Sequence, residues 1–279
     1  MAALLALLSS LSWGSADFLG GIASKRLPSL IVVGLSQAAG LVVAVVLALL
    51  TREWQAPLGY LPWAVLASLC GAAGLIAFYR ALATGTMGVV APISGMAGIV
   101  PLIAGFAAGE RFTTLAAVGA VAIGIGVLLA SGPELNDRAG VAPVLLAMFA
   151  ALMFGIALLA IAEGAEYSPI MTMVGMRTVS VLLLGSTSVV LLTRSAGYRS
   201  AARSLLWLII VSGVLDISAN LAFGYASQAG ALVVVAVLGS LYPVATAVLA
   251  ALFLHERLRP VQYAGVAAAV VGLSMVTLA

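Results

Sequence analysis

From Ala2 onward the chain reads as a series of apolar runs of about twenty residues, each parted from the next by a few polar or Gly/Pro-rich positions. A run of that length crosses roughly 30 Å of hydrocarbon as a helix, the one open-ended structure that satisfies its own backbone where no water is present. The content of the runs excludes the alternative of a soluble bundle: 64% of residues are hydrophobic and 8% are charged, against about a quarter charged in water-soluble domains. The expected fold is therefore an all-α membrane protein with the lipid bilayer as its first partner. Breaks at charged or Pro/Gly-rich positions predict ten transmembrane helices near 2–22, 28–50, 60–83, 86–108, 113–131, 140–162, 169–193, 204–227, 230–254 and 259–278. The first run lacks a basic leader and extends to about Ile22, so it is expected to be a span rather than a cleaved signal.

Self-similarity refines the layout. Sliding the chain by 146 positions (256 minus 110) sets Glu110 and Arg111 on Glu256 and Arg257, Gly119 on Gly265, Ala122 on Ala268 and Gly126 on Gly272. The paired Glu-Arg carries the weight, because charged residues are rare here and both pairs fall between apolar runs. An offset of 141 sets Trp13 and Gly14 on Phe154 and Gly155, Pro28 on Pro169 and Gly34 on Gly175. Two repeats, 2–131 and 140–278, follow, joined by a polar linker at 132–139. Five spans per repeat is an odd number, so the second copy is inverted relative to the first, an architecture shared by many secondary transporters.

With ten spans, a five-plus-five repeat, Trp13-Gly14 in the first helix, and AGERFT and LHERLRPVQYAG after the fourth and ninth spans, the chain resembles the EamA family of the drug/metabolite transporter superfamily. The stretch SLYPVATAVLAALFLHERL, with Pro243 lying 13 residues before Glu256, resembles that family's Pro-to-Glu motif. Ala97 stands in the matching place of the first repeat, flanked by Pro92 and Pro101. The resemblance implies a transporter of small organic solutes, a group that includes amino acids, other metabolites and drugs.

Polar residues inside apolar runs are the candidate site, since burying charge in a bilayer costs a few kcal/mol unless it is paired or hydrated. Asp216 lies mid-span with Asn220 one turn on, and Asp17 lies well inside the first span. Arg177 is placed to neutralise an acid or to hold an anion on its planar fork, and Gln37 is the only amide of the second span. Among Trp13, Tyr79, Tyr225 and Tyr242, the deeper Trp13 and Tyr242 are the better candidates to line a cavity, the others suiting an interfacial belt. Pro243 removes a helical hydrogen bond and marks a helix break, which either builds a polar site or simply bends the packing. Gly119, Ala122 and Gly126, like Gly265, Ala268 and Gly272, share one helix face and predict a close packing seam. Glu163 and Glu166 are expected in a solvated loop, and Arg80 is expected to snorkel.

The motifs that are missing matter too. The sequence holds no GxxxxGK[ST] phosphate loop and no metal-binding or hydrolase pattern, so neither ATP nor any cofactor or metal is expected to take part. Its scattered cations form no basic run suited to nucleic acid. The expected function is a secondary transporter of a small organic metabolite, amino acid-like among the options, working by alternating access with or without proton coupling. A drug or quaternary-amine exporter is the second reading; a membrane scaffold or intramembrane enzyme is the third. The expected location is the cytoplasmic membrane with both termini on one side. The Lys/Arg distribution favours that side being outside, whereas the resemblance implies inside, and both stay open here. The sequence does not set the oligomeric state.

Overall fold

Lipid offers the backbone no hydrogen bonds, so apolar runs must close their bonds internally, and every regular element among the described residues is helical. The computed structural model describes residues 1–84, 90, 93–109, 113–130, 141–253 and 260–277. Pro92, Glu110, Arg111, Glu256, Arg257 and the 132–139 linker lie outside the described residues. In chain order the helices are α1 (Ala2–Ser24), α2 (Ser29–Thr51), α3 (Leu61–Thr84), α4 (Ile99–Ala107), α5 (Thr114–Ala130) and α6 (Val141–Ala165). They continue as α7 (Pro169–Ser180), α8 (Ser186–Arg194), α9 (Ala196–Ala229), α10 (Leu232–Gly239), α11 (Tyr242–Phe253) and α12 (Pro260–Thr277).

Among the described residues, six helical stretches are long and apolar enough to cross a membrane: Ala2–Ser24, Ser29–Thr51, Leu58–Thr84, Val141–Ala165, Pro169–Arg194 and Ala196–Ala229. Shorter apolar helices cover Ile93–Gly105, Thr114–Leu129, Leu232–Thr246 and Tyr263–Gly272. The protein is a multi-pass membrane protein, and its faces are sorted accordingly. On α1, Leu4, Leu8 and Leu11 form an exposed stripe, while Ser9, Ser10, Gly14 and Asp17 are buried. Hydrocarbon accepts the leucines at no cost, whereas the polar groups must find protein or a cavity.

Several element bounds depart from the sequence reading for identifiable reasons. The stretch expected as one helix over 169–193 contains a π turn at Val181–Gly185 that separates α7 from α8. Helix α9 begins eight residues before the expected 204, because the Ser195 hydroxyl accepts the Tyr198 amide at 3.3 Å and the helix-compatible AGYRSAAR segment continues the span. At the start of α7 the Ser168 hydroxyl accepts the Met171 amide at 3.0 Å and donates to the Glu53 carboxylate. Pro169 then occupies the first turn, where its missing N–H is harmless.

Neighbour relations come in matched pairs. Helix α1 rests on α9 and α11; α6 rests on α3 and α4; α2 touches α9, and α7 touches α3. Helices α5 and α12 pack on each other along their small residues. A Cβ added to Gly126 would lie 2.5 Å from the Ala269 amide nitrogen, and one added to Gly272 would lie 2.6 Å from the Gly119 carbonyl and 2.8 Å from the Ile123 amide nitrogen. Each glycine thus meets the residue 146 positions from its counterpart's neighbour: 126 faces 269, and 272 faces 123. Gly119 and Gly265 are buried on this seam, and Ala122 and Ala268 are half-buried. Backbones approach so closely because only van der Waals packing, without a hydrophobic drive, holds helices together in lipid.

Candidate functional site

The seven residues singled out as substrate or proton binders line a single cavity. Trp13 and Asp17 reach it from α1, Gln37 from α2, Arg177 from α7, Asp216 and Asn220 from α9, and Tyr242 from the start of α11. Apolar walls come from Leu75, Phe154, Leu158, Ile161 and Met176, with Ala97 at the Met96–Gly98 3-10 turn. The cavity volume is about 70 Å³, small beside the few hundred Å³ usual for a site that holds a small organic ligand.

At its centre is an ion pair. Arg177 Nη2 lies 2.7 Å from Asp216 Oδ2, and Arg177 Nη1 donates to the Gln37 side-chain oxygen. Asn220 donates its amide to the Asp216 carbonyl at 2.6 Å and to Asp216 Oδ1 at 3.2 Å, the contact expected of residues one turn apart. Arg177 is 1% exposed and the Asp216 side chain 17% exposed, and both line the cavity. An arrangement of this kind is rarely a net source of stability, but it is very costly to halve, since either partner alone would be an uncompensated buried charge. Asp17, 7% exposed, lies near Asp216 and receives no hydrogen bond or ion pair from the described residues.

Hydroxyls from neighbouring helices hold the first helix in place around Asp17. Ser212 donates to the Ala16 carbonyl at 2.9 Å, and Thr246 donates to the carbonyls of Gly14 and Tyr242 at 3.1 and 3.0 Å. Trp13 packs edge-on to Tyr242 with ring centroids 6.5 Å apart, and it also meets Phe223 at 5.7 Å. Gly14 permits this closeness, since a Cβ there would stand 2.7 Å from the Tyr242 carbonyl. The same contact recurs in the other half, where a Cβ on Gly155 would stand 2.7 Å from the Ala97 carbonyl.

Helix interruptions lie at the cavity in both halves. Between α10 and α11 the chain turns at Ser240 and Leu241, so the break precedes Pro243, which sits in the first turn of α11. Pro101 occupies the first turn of α4 in the same way, directly after the 3-10 turn. Proline is tolerated at these positions and obstructs continuation of a helix from upstream.

Sequence reasoning missed several contributors. Phe154 was legible as the 141-offset partner of Trp13, and Ser212 as the residue one turn before Asp216. Thr246 gave no signal, because hydroxyls that bond their own helix are ordinary in apolar spans. Gln37 lines the cavity, but its offset partner Thr178 bonds the Val174 carbonyl and is not among the lining residues. Glu163, expected in a solvated loop, is instead half-buried in the last turns of α6. It lines a second cavity of about 440 Å³ with Leu159, Ala162, Glu166, Ser227 and Gln228. Tyr225, at 36% exposure, does not reach the central cavity, nor does buried Tyr79, whose ring covers Gly20.

Known proteins place this geometry in context. No curated protein sequence matches the chain. A solved crystal structure aligns with it at a TM-score of 0.75 over 99% of this chain and 96% of the other, at 17% identity, a likeness of fold alone. The model of the EamA-like transporter family matches residues 1–132 and again residues 141–278. Two family matches that together span nearly the whole sequence, on a membrane bundle whose rare buried charges converge on one cavity, identify the chain as a member of the EamA-like transporter family, within the drug/metabolite transporter superfamily.

Proposed function

We propose that the protein is a secondary transporter of a small organic metabolite that works by alternating access around the cavity of Asp216 and Arg177. The observation that carries this reading is the buried Arg177–Asp216 ion pair facing a cavity lined from both halves of the chain. A scaffold has no use for a charged pair at that depth. In this reading Asp216, Asn220, Arg177 and Gln37 form the polar centre of the solute site, Trp13 and Tyr242 its apolar wall, and Asp17 the place for a coupling proton.

The layout we propose is ten crossings in two inverted five-helix repeats. Three features support it: the double family match, the exchange-related helix neighbours, and the reciprocal Gly126–Ala269 and Gly272–Ile123 contacts. Such contacts arise naturally at a two-fold axis, where i meets j and j meets i. In this reading the small cavity belongs to a constricted state, and the halves rock apart at one end to admit solute. Reconstitution into proteoliposomes tests the reading through counterflow of a panel of amino acids, nucleosides and organic cations. Asn220→Ala and Trp13→Leu, which leave the buried charges paired, should cut counterflow at least tenfold. A folded protein that drives counterflow of no member of the panel would refute the transporter reading.

A further inference from the structure

The two ends of the bundle differ in charge, and helix register shows how the difference is built. Gly230 stands against Ala2, and Gly224 against Pro169, so both α1 and α7 run antiparallel to α9. Their registers are fixed by the Ser212 bond to the Ala16 carbonyl and by the Arg177–Asp216 pair. Lys25 follows Ala16 by nine residues and Arg203 precedes Ser212 by nine, so the two emerge at one level. Arg194 follows Arg177 by seventeen residues and Arg199 precedes Asp216 by seventeen, which gives a second level one turn further out. Arg26 joins the first level from the α1–α2 turn.

Those levels coincide with the lipid headgroups. Helix α9 has 34 residues and a length of about 51 Å, so it overruns a hydrocarbon core of about 30 Å by about 20 Å. Asp216 lies midway between Arg203 and the last residue of α9, Ala229. A core centred on Asp216 ends near Trp207, with Arg203 about 20 Å and Arg199 about 26 Å from the centre. Trp207 is 74% exposed, as an interfacial anchor should be, and Leu206 and Ile210 beside it are exposed to acyl chains. Lys25, Arg26, Arg194, Arg199 and Arg203 are all exposed, and among the described residues none has an ion-pair partner. The positive end of the α9 dipole adds to their field.

The opposite end has the other sign. Its described charged side chains are Arg52, Glu53, Glu163 and Glu166. The loops outside the described residues add no net charge by sequence: Glu110 balances Arg111, and Glu134, Asp137 and Glu256 balance Arg138, Arg257 and Arg259. The five cations therefore face one leaflet uncompensated. They also come from both halves of the chain, Lys25 and Arg26 from the first and the three arginines from the second. Leu27 is buried in the same apolar cluster as Ala202 and Leu205, which sets the α1–α2 turn against the start of α9.

We propose that this end of the bundle is a docking surface for anionic phospholipid, whose headgroup phosphate is held between the α1–α2 turn and the α8–α9 connection while its acyl chains lie along Leu206, Trp207 and Ile210. Basic clusters at the membrane end of a helix recognise such headgroups, and arginine holds phosphate on its planar fork. A lipid bound in this way bridges the first half of the chain to the second. It acts as a clamp at the end remote from Glu163 and Glu166.

The test uses the fluorescence of Trp207 in the full chain, reconstituted in mixed vesicles of phosphatidylglycerol and phosphatidylcholine in which one of the two is brominated on its acyl chains. The Trp207→Phe protein gives the signal of the other tryptophans, of which Trp54, at the opposite end, is the most exposed. The expected result is a relative association at Trp207 at least threefold in favour of phosphatidylglycerol at low salt, declining as salt screens the contact. Arg199→Gln/Arg203→Gln and Lys25→Gln/Arg26→Gln should each bring the ratio close to one, whereas Arg52→Gln should leave it unchanged. Equal quenching by the two lipids in the parent protein would overturn the proposal, as would the same preference in Trp207→Phe. A preference that survives Lys25→Gln/Arg26→Gln would remove the bridge between halves. Displacement of phosphatidylglycerol by millimolar inorganic phosphate would reveal a site for free anions and overturn the assignment to lipid. The substituted side chains are exposed and unpaired, so these variants should fold, and the parent readings decide the matter where one does not.

Discussion

Replacing Gly126 by Ala puts a methyl group where α12 already stands. The added carbon would lie 2.5 Å from the Ala269 nitrogen and 2.8 Å from its Cα, whereas ordinary contact begins at 3.4 Å. The obstacle is backbone rather than a side chain that can swing away, so the two helices must separate, at a cost of about 1–3 kcal/mol. Gly124, two residues earlier on α5, has nothing within 4 Å of its notional Cβ and serves as the internal control. Both substitutions gain the same helix propensity, about 0.5–1 kcal/mol, so their difference isolates the contact. We expect Gly126→Ala to be less stable than Gly124→Ala by about 1–3 kcal/mol, read as the shift in denaturant or thermal unfolding in detergent. Gly272→Ala meets the Gly119 and Ile123 backbone at 2.6 and 2.8 Å and should behave like Gly126→Ala. Because one separation of α5 from α12 relieves both clashes, the double variant should cost less than the sum of the singles. Equal stability of Gly124→Ala and Gly126→Ala, or strict additivity of Gly126→Ala with Gly272→Ala, would refute the seam.

Three further outcomes are expected. Asp216→Asn leaves Arg177 buried and unpaired, so the isosteric change should still destabilise by about 3–5 kcal/mol; the double variant Arg177→Met/Asp216→Asn should be more stable than Asp216→Asn alone, measured by the same unfolding assay. Ser168→Ala removes both the cap of α7 and the bond to Glu53, and should cost about 0.5–2 kcal/mol in the same unfolding assay. Thr246→Val removes a donor shared by the carbonyls of Gly14 and Tyr242 and should cost about 1 kcal/mol, with Trp13 fluorescence shifted as α1 loosens from α11.

Much of this bundle is legible in the sequence because lipid is a strict solvent. Apolar runs of span length can scarcely be anything but helices there, and a rare Asp, Arg, Gln or Asn within them must turn inward. That logic brings Asp17, Gln37, Arg177, Asp216 and Asn220 together without any knowledge of the fold. What it does not reveal is who pairs with whom. Arg177 could have answered either acid, and only the crossing of α7 with α9 decides for Asp216. Backbone irregularities are equally hidden. No residue in Val181–Gly185 announces a π turn, and the break before α11 falls at Ser240 and Leu241 rather than at Pro243, because a proline disrupts the turn that precedes it. The early start of α9 is hidden for the opposite reason: its first two turns carry Arg199, Ser200 and Arg203, and polarity of that kind reads as the end of a span.

The small central cavity governs how tightly any solute will seem to bind. In the alternating-access mechanism proposed above, a site this small is not the form that receives a solute; only the fraction of molecules with the helices parted is competent, and the measured dissociation constant is the intrinsic one divided by that fraction. Affinity and closed-state stability are then opposed. Gly155 packs its backbone against the Ala97 carbonyl and the Val100 side chain, with distances of 2.7 and 2.5 Å to a notional Cβ. A methyl group there would penalise the closed packing more than the open one. Gly155→Ala should accordingly lower thermal stability while tightening apparent binding, the mark of a protein whose resting state is held shut at the expense of its own occupancy.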